Sequence, residues 1–356
     1  MSRSGQPPVQ PAPQSGHHLS SASQLAFASG EIACWGFAEP AAGALSQVRG
    51  LARAVGLPAK MQEMTLSFPW KKCWPGMIPC RSFIFRDPET LFSGPPPRLV
   101  ITCAKQAIMA SLWLKKQYKD DVFTVHIQSP RIDPRRFDLV VAPEHDGLTG
   151  PNVFASRGAL HHINTDVLKS AAEGPIPADI ARLQRPFVTV LLGGPNNCYN
   201  FDSSSLAPLV LQLQELVRKH GILLAILPSR RTPESVLQQF QQAFAGDHFV
   251  WNRQGENPYL AALARCSHLI VTSDSVSMLS ECAATEKPVY VFHLSEFRRS
   301  RRFHRFHQTF VDAGISRPFA GALEQWKYRS PNPTQQIAEL IRHRLEQRAG
   351  LSNRAA

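Results

Sequence analysis

Short apolar segments alternate with helical patterns along most of this chain, and the alternation occurs in two series. The first series predicts strands at 31–37, 98–102, 122–126 and 139–142, with helices over 44–55 and 106–118. The second predicts strands at 187–192, 222–227, 268–271 and 288–292, with helices over 205–220, 232–244 and 275–284. Nearly continuous apolar strands are typical of parallel sheets covered on both faces. The pattern therefore predicts an α/β fold of two Rossmann-like, doubly wound domains that face a cleft.

The composition of the remaining segments divides the chain into four parts. Residues 1–28 are rich in Pro, Ser, Gln and His and lack the apolar core of a secretory signal, so we predict a disordered tail. Residues 29–175 are predicted to form the first, acceptor-side domain, and residues 176–330 the second, nucleotide-binding domain. Residues 331–356 are predicted to contain a last, amphipathic helix that packs back on the first domain.

A formal net charge of +12 at pH 7 indicates an anionic partner, such as a phosphorylated small molecule, an acidic acceptor, a membrane surface or nucleic acid. No nucleic-acid recognition motif occurs, which disfavours the last of these. Seven scattered cysteines without a C-x-x-C motif argue against a disulfide framework and a zinc site. We therefore expect no metal and no cofactor, in a cytoplasmic protein that is soluble or peripheral on the cytoplasmic face of a membrane.

The segment TSDSVSMLSE (272–281) is the strongest candidate site, because a hydroxyl-rich turn joins a predicted strand to a predicted helix. The positive end of a helix attracts an anion such as a diphosphate. Hydroxyl donors to the same oxygens are Ser273, Ser275 and Ser277. A carboxylate at Glu281, about one and a half turns into the helix, is placed to accept hydrogen bonds from ribose hydroxyls. The alternative is an ordinary helix start capped by Asp274 or Ser275.

Three further polar loops follow strands of the same predicted sheet, and ligands of open parallel sheets bind beyond the carboxyl ends of the strands. The candidate residues in these loops are Gly193, Gly194 and Asn196, then Arg230 and Arg231, then Asn257. The glycines would let a ligand approach the backbone, and a guanidinium would pair with phosphate. Each loop taken alone is also consistent with a simple turn.

The acceptor side is predicted from the first domain and from a basic segment. His145 and Asp146 follow a predicted strand and are candidates for a general base, although a hydrogen-bonded loop histidine explains the pattern equally well. The segment FRRSRRFHRFH (297–307) is predicted to hold an acidic acceptor or a lipid headgroup, or else to be a solvated basic helix with buried Phe residues. The other acceptor-side candidates are Gly43, Gln47, Gln128, Arg301, His304 and His307.

Several segments together resemble the elongated-mitochondria fission-factor family: RFDLVVAPEHDGLTGPNV (136–153), GGPNNCYNFD (193–202), SRRTP (229–233), GENPYL (255–260) and TSDSVSMLSECAATEKPVYVF (272–292). The resemblance runs from about 31 to 319 and points to a bacterial-type member. More remotely, segment 272–292 is similar to the donor-binding helix of GT-B glycosyltransferases. That likeness implies that Glu281 holds a ribose and that Ser275 and Ser277 hold a diphosphate. Bacterial relatives are often labelled epimerases, but neither Tyr-x-x-x-Lys nor an early G-x-G-x-x-G occurs here.

One departure from the family pattern bears on catalysis. The family's first loop reads Gly-His-x-Asn-Gln, whereas this chain has Gly43, Ala44 and, at the last position, Gln47. If the missing histidine is the base, the chain needs another, such as His145 or Asp146. The resemblance thus leaves two hypotheses. One is metal-independent transfer of a sugar from a nucleotide-diphosphate sugar to an acidic or lipid-linked acceptor. The other is a non-catalytic adaptor that recruits a dynamin-like GTPase to a membrane.

Overall fold

The computed structural model describes residues 34–40, 42–183 and 186–355. The predicted disordered tail (1–28) and the first three residues of the predicted strand 31–37 lie outside these residues. Two six-stranded parallel sheets with helices on their faces make up the described chain, and both belong to the same compact unit. This confirms the predicted fold class.

The first sheet has the strand order β2-β1-β3-β4-β5-β6. Its strands are β1 (Cys34–Ala38), β2 (Ala59–Glu63), β3 (Leu99–Cys103), β4 (Phe123–Ile127), β5 (Leu139–Pro143) and β6 (Val153–Ser156). Its helices are α1 (Ala42–Val55), α2 (Pro88–Leu91) and α3 (Ile108–Tyr118). Every residue of β1, β3 and β4 is buried, because helices or the long β2–β3 connection cover both faces of the sheet.

The connection between β2 and β3 (64–98) consists of short 3₁₀ turns, helix α2 and loops. Its inward-facing side chains, including Leu66, Ile84 and Phe85, join Trp35 and Phe37 in the core of the first sheet. These core contacts therefore fix the segment against the first sheet, although it contains little regular secondary structure.

The second sheet has the order β12-β11-β10-β7-β8-β9. Its strands are β7 (Phe187–Leu192), β8 (Leu223–Pro228), β9 (Phe249–Val250), β10 (His268–Thr272), β11 (Val289–Phe292) and β12 (Ser316–Pro318). Its first strand, β7, lies in the middle, and the chain moves outward first to one side and then to the other. This order is that of a dinucleotide-binding domain, in which a crevice opens where the two central strands, here β7 and β10, diverge.

Eight helices are described in the chain from residue 157 onward. They are α4 (Thr165–Glu173), α5 (Ala178–Ala181), α6 (Ser203–His220), α7 (Glu234–Ala243), α8 (Tyr259–Arg265), α9 (Val276–Ala283), α10 (Arg301–Asp312) and α11 (Pro333–Ala355), with the single turn 144–146 preceding them. Helices α6 and α7 cover one face of the second sheet, while α8, α9 and α10 pack on the other.

Helix α11 returns to the first sheet and packs against α1. Arg342 donates from Nη1 to the carbonyl oxygen of Ala54 at the end of α1, at 2.6 Å. A second link between the two halves is the Ser280 hydroxyl, which accepts a hydrogen bond from the backbone N–H of Ala159 at 2.8 Å. These contacts hold the two sheets in a defined relation on either side of the cleft. Within the described ranges, none of the helices has the length and hydropathy of a membrane span.

Candidate functional site

A cavity of about 340 Å³ lies in the cleft between the two sheets. Seven of the residues predicted from the sequence line it: Gln47, Gln128 and His145 from the first half, and Asn196, Arg231, Ser275 and Ser277 from the second. They lie in the loops that follow strands of both sheets or in the helices that follow those loops. The fold thus brings together residues that lie up to 230 positions apart in the chain.

The start of helix α9 forms one wall of this cavity. Ser275 is the N-cap, and its hydroxyl accepts a hydrogen bond from the backbone N–H of Met278 at 3.3 Å. Of the two capping candidates, the structure therefore selects Ser275. The N–H groups of a first helical turn have no partner within the helix, and here they lie at the cavity edge beside Ser277. Gly43, at the start of α1, faces this point: a Cβ there would lie 3.8 Å from the Ser277 hydroxyl.

The carboxylate of Asp274 is buried just before the start of α9, and the residue lines the cavity. It accepts hydrogen bonds from the Gly194 N–H at 2.8 Å and from the Thr272 hydroxyl at 2.6 Å. The Arg231 guanidinium lies 3.6 Å away on the cavity side. Burial raises the pKa of Asp274, while these hydrogen bonds and Arg231 act in the opposite direction. Sequence reasoning considered Asp274 only as a cap, although a carboxylate directly after a strand was the available signal.

The two glycines after β7 have a structural role that differs from the one expected. A Cβ on Gly193 would lie 2.1 Å from an oxygen of Asp274, and a Cβ on Gly194 would lie 2.5 Å from Cβ of Arg231. Protein atoms therefore fill the space that was assigned to a ligand. The glycines allow the close approach that places Asp274 and Arg231 at the cavity.

Glu281 belongs to helix α9 but does not line the cavity. Its carboxylate accepts a hydrogen bond from the hydroxyl of Tyr259, at the start of α8. Burial raises the pKa of Glu281 to about 7, an effect that the Tyr259 hydrogen bond opposes. Asn257 is turned inward on its own loop, where its side-chain oxygen accepts from the Tyr259 N–H at 3.1 Å. The structure thus joins the 255–260 loop to α9, so that Glu281 and Asn257 lie close to the same residue.

His145 and Asp146 form a group with Arg302 of helix α10. His145 Nε2 lies 3.6 Å from Asp146 Oδ1, and Arg302 Nε lies 2.8 Å from the same oxygen. The His145 ring packs edge-on against Phe306, with ring centroids 5.4 Å apart. Burial lowers the pKa of His145 to about 4, an effect that the Asp146 carboxylate opposes and the Arg302 guanidinium reinforces. His145 is therefore a neutral imidazole at neutral pH.

A second cavity, of about 420 Å³, adjoins the first on the side of the first sheet. Gln128 and Arg302 line both cavities, and the second is also lined by Trp74, Lys105 and Arg131. Lys105 Nζ and Arg131 Cζ lie 5.8 and 5.9 Å from the centroid of the Trp74 ring. No carboxylate of the described residues lies within salt-bridge distance of either cation.

The backbone around the second cavity is conformationally unusual. Ala104, Gln128 and Arg131 all have positive φ, at 76°, 83° and 54°, and none of them is a glycine. Such conformations cost free energy and are concentrated at ligand sites. Sequence reasoning missed Lys105 and Arg131, although both closely follow strands of the first sheet, where the same rule used for the second sheet would have found them.

The basic segment 297–307 runs into helix α10, which packs against the second sheet. Ser300 caps helix α10, and its apolar face, with Phe306 and Phe310, is buried in the core of the second half. His307 is buried: its Nε2 donates to the Ser273 carbonyl at 2.9 Å, and burial lowers its pKa to about 4. Of the three Phe residues in the segment, Phe306 is buried whereas Phe297 is 60% exposed, and only Arg302 of its cations lines the cavities.

Several predicted residues line neither cavity. They are Gly43, Gly193, Gly194, Arg230, Asn257, Ser273, Glu281, Arg301, His304 and His307. The Ser273 hydroxyl is engaged by the Leu294 N–H at 3.1 Å, and His304 Nε2 lies 3.0 Å from a Glu296 carboxylate oxygen. Over the part of the chain that the structure describes, no group of three or more His, Cys, Asp or Glu side chains is arranged to hold a metal ion.

The family model for mitochondrial fission ELM1 matches residues 42–345 of this chain. The chain belongs to the ELM1 family. It is 30% identical over 288 residues to the mitochondrial fission protein ELM1 of Arabidopsis thaliana, across 71% of this chain and 65% of the plant protein. It thus spans less than two thirds of that relative. It is 25% identical over 287 residues to the uncharacterized protein RP120 of Rickettsia prowazekii, across 70% of this chain and 80% of that protein.

Solved structures show the same architecture as this ELM1-family chain. The UDP-GlcNAc 2-epimerase of Methanocaldococcus jannaschii superposes with a TM-score of 0.55 at 11% identity, over 87% of this chain and 99% of the epimerase. The same enzyme in complex with UDP-GlcNAc and UDP gives a TM-score of 0.51 at 10% identity, over the same shares. At these identities the likeness establishes the GT-B-like fold alone.

Proposed function

We propose that this ELM1-family protein binds a nucleotide-diphosphate sugar in the cleft cavity and transfers the sugar to an anionic acceptor. The observation that carries the proposal is the convergence of the loops after β7, β8 and β10 on one cavity at the switch point of the second sheet. Ligands of doubly wound sheets bind at this point. The cavity lies at the lower end of the size range of small-molecule sites, about 300–1,000 Å³.

The donor's diphosphate is placed at the start of α9. The helix N–H groups, the hydroxyls of Ser275 and Ser277, and the Arg231 guanidinium border the same space. The nucleoside then extends along α9 toward Glu281, whose carboxylate is suited to accept from ribose hydroxyls. A uridine nucleotide is our first choice, because the structural neighbours are named for UDP-GlcNAc.

The acceptor is placed in the second cavity, with an anionic group at Lys105 and Arg131. Both cations are without a carboxylate partner among the described residues, and both lie near the face of Trp74. Since Gln128 and Arg302 line both cavities, a hydroxyl of an acceptor bound there is directed toward the donor. A phosphate or carboxylate fits this pair of cations best.

In the transfer step, an acceptor hydroxyl oxygen forms a bond to the anomeric carbon of the sugar, and the bond from that carbon to the diphosphate oxygen breaks. The helix start and Arg231 stabilise the negative charge of the departing nucleoside diphosphate. The hydroxyl proton passes to His145, which is unprotonated at neutral pH and lines the cavity. Asp146, 3.6 Å away, then stabilises the imidazolium.

Calorimetric titration with UDP and other nucleoside diphosphates tests the donor site. Arg231→Ala should weaken binding about 10- to 100-fold, the usual effect of losing a hydrogen bond to a charged group. Arg230→Ala is the matched control, because Arg230 is the adjacent, exposed arginine and lines neither cavity. Glu281→Ala should also weaken nucleotide binding if this carboxylate holds the ribose.

If no nucleoside diphosphate binds, or if the two arginine variants behave alike, the donor-site assignment is wrong. The family likeness would then favour the adaptor hypothesis, and a search for a GTPase partner would follow. The reaction is tested separately, by UDP release from UDP-sugars in the presence of phosphorylated acceptors. A change in the sugar of the donor without any acceptor would point to an epimerase instead of a transferase.

A further inference from the structure

Four large hydrophobic side chains are exposed within a stretch of 16 residues in the β2–β3 connection. Phe68 is 72% exposed, Trp74 40%, Met77 79% and Phe83 61%. The other exposed large hydrophobics among the described residues, Leu211, Phe297 and Val311, are more than 120 positions away from this group in the chain. Single exposed hydrophobics are ordinary, but a concentrated group marks an interaction surface.

The fold brings the two ends of this stretch together. Ser67 donates its N–H to the Ile84 carbonyl at 2.8 Å, in an antiparallel contact that brings Phe68 and Phe83 opposite each other. The ring of Trp70 lies 6.1 Å from that of Phe83. We call the exposed side chains of residues 68–83 the aromatic face.

The aromatic face is also strongly basic. Residues 68–83 include Lys71, Lys72 and Arg81, all of them exposed, and contain no Asp or Glu. Lys72 Nζ lies 5.9 Å from the centroid of the Phe68 ring, so cationic and apolar groups alternate over a short distance. Aromatic side chains enter the interfacial region of a bilayer, and neighbouring lysines and arginines are attracted to anionic headgroups.

Buried side chains of the same segment fix it to the core of the first sheet. Leu66, Ile78, Ile84 and Phe85 are buried in the core of the first sheet, so the exposed side chains project from turns of fixed shape. Little conformational entropy is lost when such a surface docks, which favours binding. Phe, Trp, Met and Arg are also common in protein–protein interfaces, whereas lysine is depleted there, so Lys71 and Lys72 are the residues that favour an anionic bilayer over a protein partner.

From these observations we propose that the aromatic face docks the protein on a bilayer that contains anionic phospholipids. Phe68, Met77 and Phe83 enter the headgroup region, and the basic side chains contact the lipid phosphates. Trp74 belongs both to this face and to the lining of the second cavity, so that cavity lies beside the membrane in the docked protein. The proposal is independent of the proposed function, since it requires neither a nucleotide nor a reaction.

Vesicle co-sedimentation of the full-length protein tests the proposal, using phosphatidylcholine vesicles with and without phosphatidylglycerol. Phe68→Ser/Phe83→Ser should weaken binding to the anionic vesicles at least about tenfold, because two apolar side chains that enter the bilayer in the docked protein are lost. The matched control is Leu211→Ser on helix α6, where the leucine is 66% exposed. Lys71→Gln/Lys72→Gln should weaken binding about 30-fold, at about fivefold per basic residue near an anionic surface, with little change on phosphatidylcholine alone.

Arg298→Gln/Arg299→Gln is the matched charge control, because both arginines are exposed in the basic segment before α10. The proposal is overturned if the wild type does not bind anionic vesicles, if the aromatic-face variants bind as the wild type does, or if only the Arg298/Arg299 variant loses binding. It is also overturned if light scattering shows a dimer that the Phe68→Ser/Phe83→Ser variant loses, since the face would then be a subunit interface. Thermal unfolding of each variant, monitored by circular dichroism, establishes that the fold is retained.

Discussion

Replacing Gly193 by alanine places a methyl group against the carboxylate of Asp274. The new Cβ would lie 2.1 and 2.3 Å from the two carboxylate oxygens, far inside van der Waals contact. Gly193 does not have positive φ, so an alanine can adopt its backbone conformation and the effect is steric. Asp274 is only 4% exposed, and any movement toward the cavity would take its carboxylate away from its hydrogen-bond donors.

The expected cost follows from what the carboxylate must give up. Its hydrogen bonds with the Gly194 N–H and the Thr272 hydroxyl, at 2.8 and 2.6 Å, must lengthen or break. Hydrogen bonds to a charged group contribute about 1.5–3 kcal/mol each. Overpacking of a buried site adds about 1–3 kcal/mol. We expect Gly193→Ala to reduce the free energy of unfolding by about 3–6 kcal/mol, a large part of the total of about 5–15 kcal/mol.

Urea denaturation measures this loss, and Gly76→Ala is the matched control. A Cβ on Gly76 would meet no atom closer than 3.5 Å, so its effect should stay within about 1 kcal/mol. The deciding experiment repeats Gly193→Ala in an Asp274→Ala background, where the clash is absent. There the substitution should cost less than about 1 kcal/mol, which gives a large coupling between the two sites. If Gly193→Ala is equally costly with and without the Asp274 carboxylate, the steric explanation is wrong.

Three further predictions concern buried polar groups. The pKa of Glu281 is about 7 in the folded protein, against 4.5 for an ordinary glutamate, so the folded state holds the carboxyl proton more strongly than the unfolded state does. The free energy of unfolding should therefore fall as the pH rises from 4.5 through 7. Glu281→Gln should remove that part of the pH dependence in denaturation curves, and an unchanged curve would contradict it. Arg302→Gln should raise the pKa of His145 above about 4 in an NMR titration, because the cation that lowers it is gone; a fall would contradict the assignment. Ser280→Ala should cost about 1–3 kcal/mol in unfolding free energy, since the buried Ala159 N–H loses its acceptor; a loss below about 0.5 kcal/mol would show that another group takes its place.

The strands at the centre of both sheets could be predicted from the sequence, whereas those at the edges could not. The prediction 187–192 coincides with β7, and 268–271 differs from β10 by one residue. The strands β2, β6 and β12 were missed because they lie at sheet edges and are partly exposed, so they lack a continuous apolar run. The burial that makes a central strand recognisable is absent from an edge strand.

The candidate site shows a similar division. A polar loop after a buried strand is a local signal, and it pointed to Arg231, Ser275 and Ser277, which line the cavity in the structure. The choice of Arg231 over Arg230 depends on which way each side chain turns, which two adjacent arginines do not reveal in sequence. Position 193 must be a glycine because the Asp274 carboxylate lies against it, although the two residues are 81 positions apart in the chain. This contact exists only because β7 and β10 pair in the folded sheet.

By itself, the sequence determined the fold class, the central strands, a helix start near residue 275 and the membership of the ELM1 family. These follow from local patterns of burial, capping and motif that a few neighbouring residues carry. Only the tertiary structure decided that the loops of both sheets share one cavity, that Lys105 and Arg131 meet beside Trp74, and that helix α10 is a wall of the cleft. Such features arise from contacts between distant segments, and those depend on how the sheets and helices pack together.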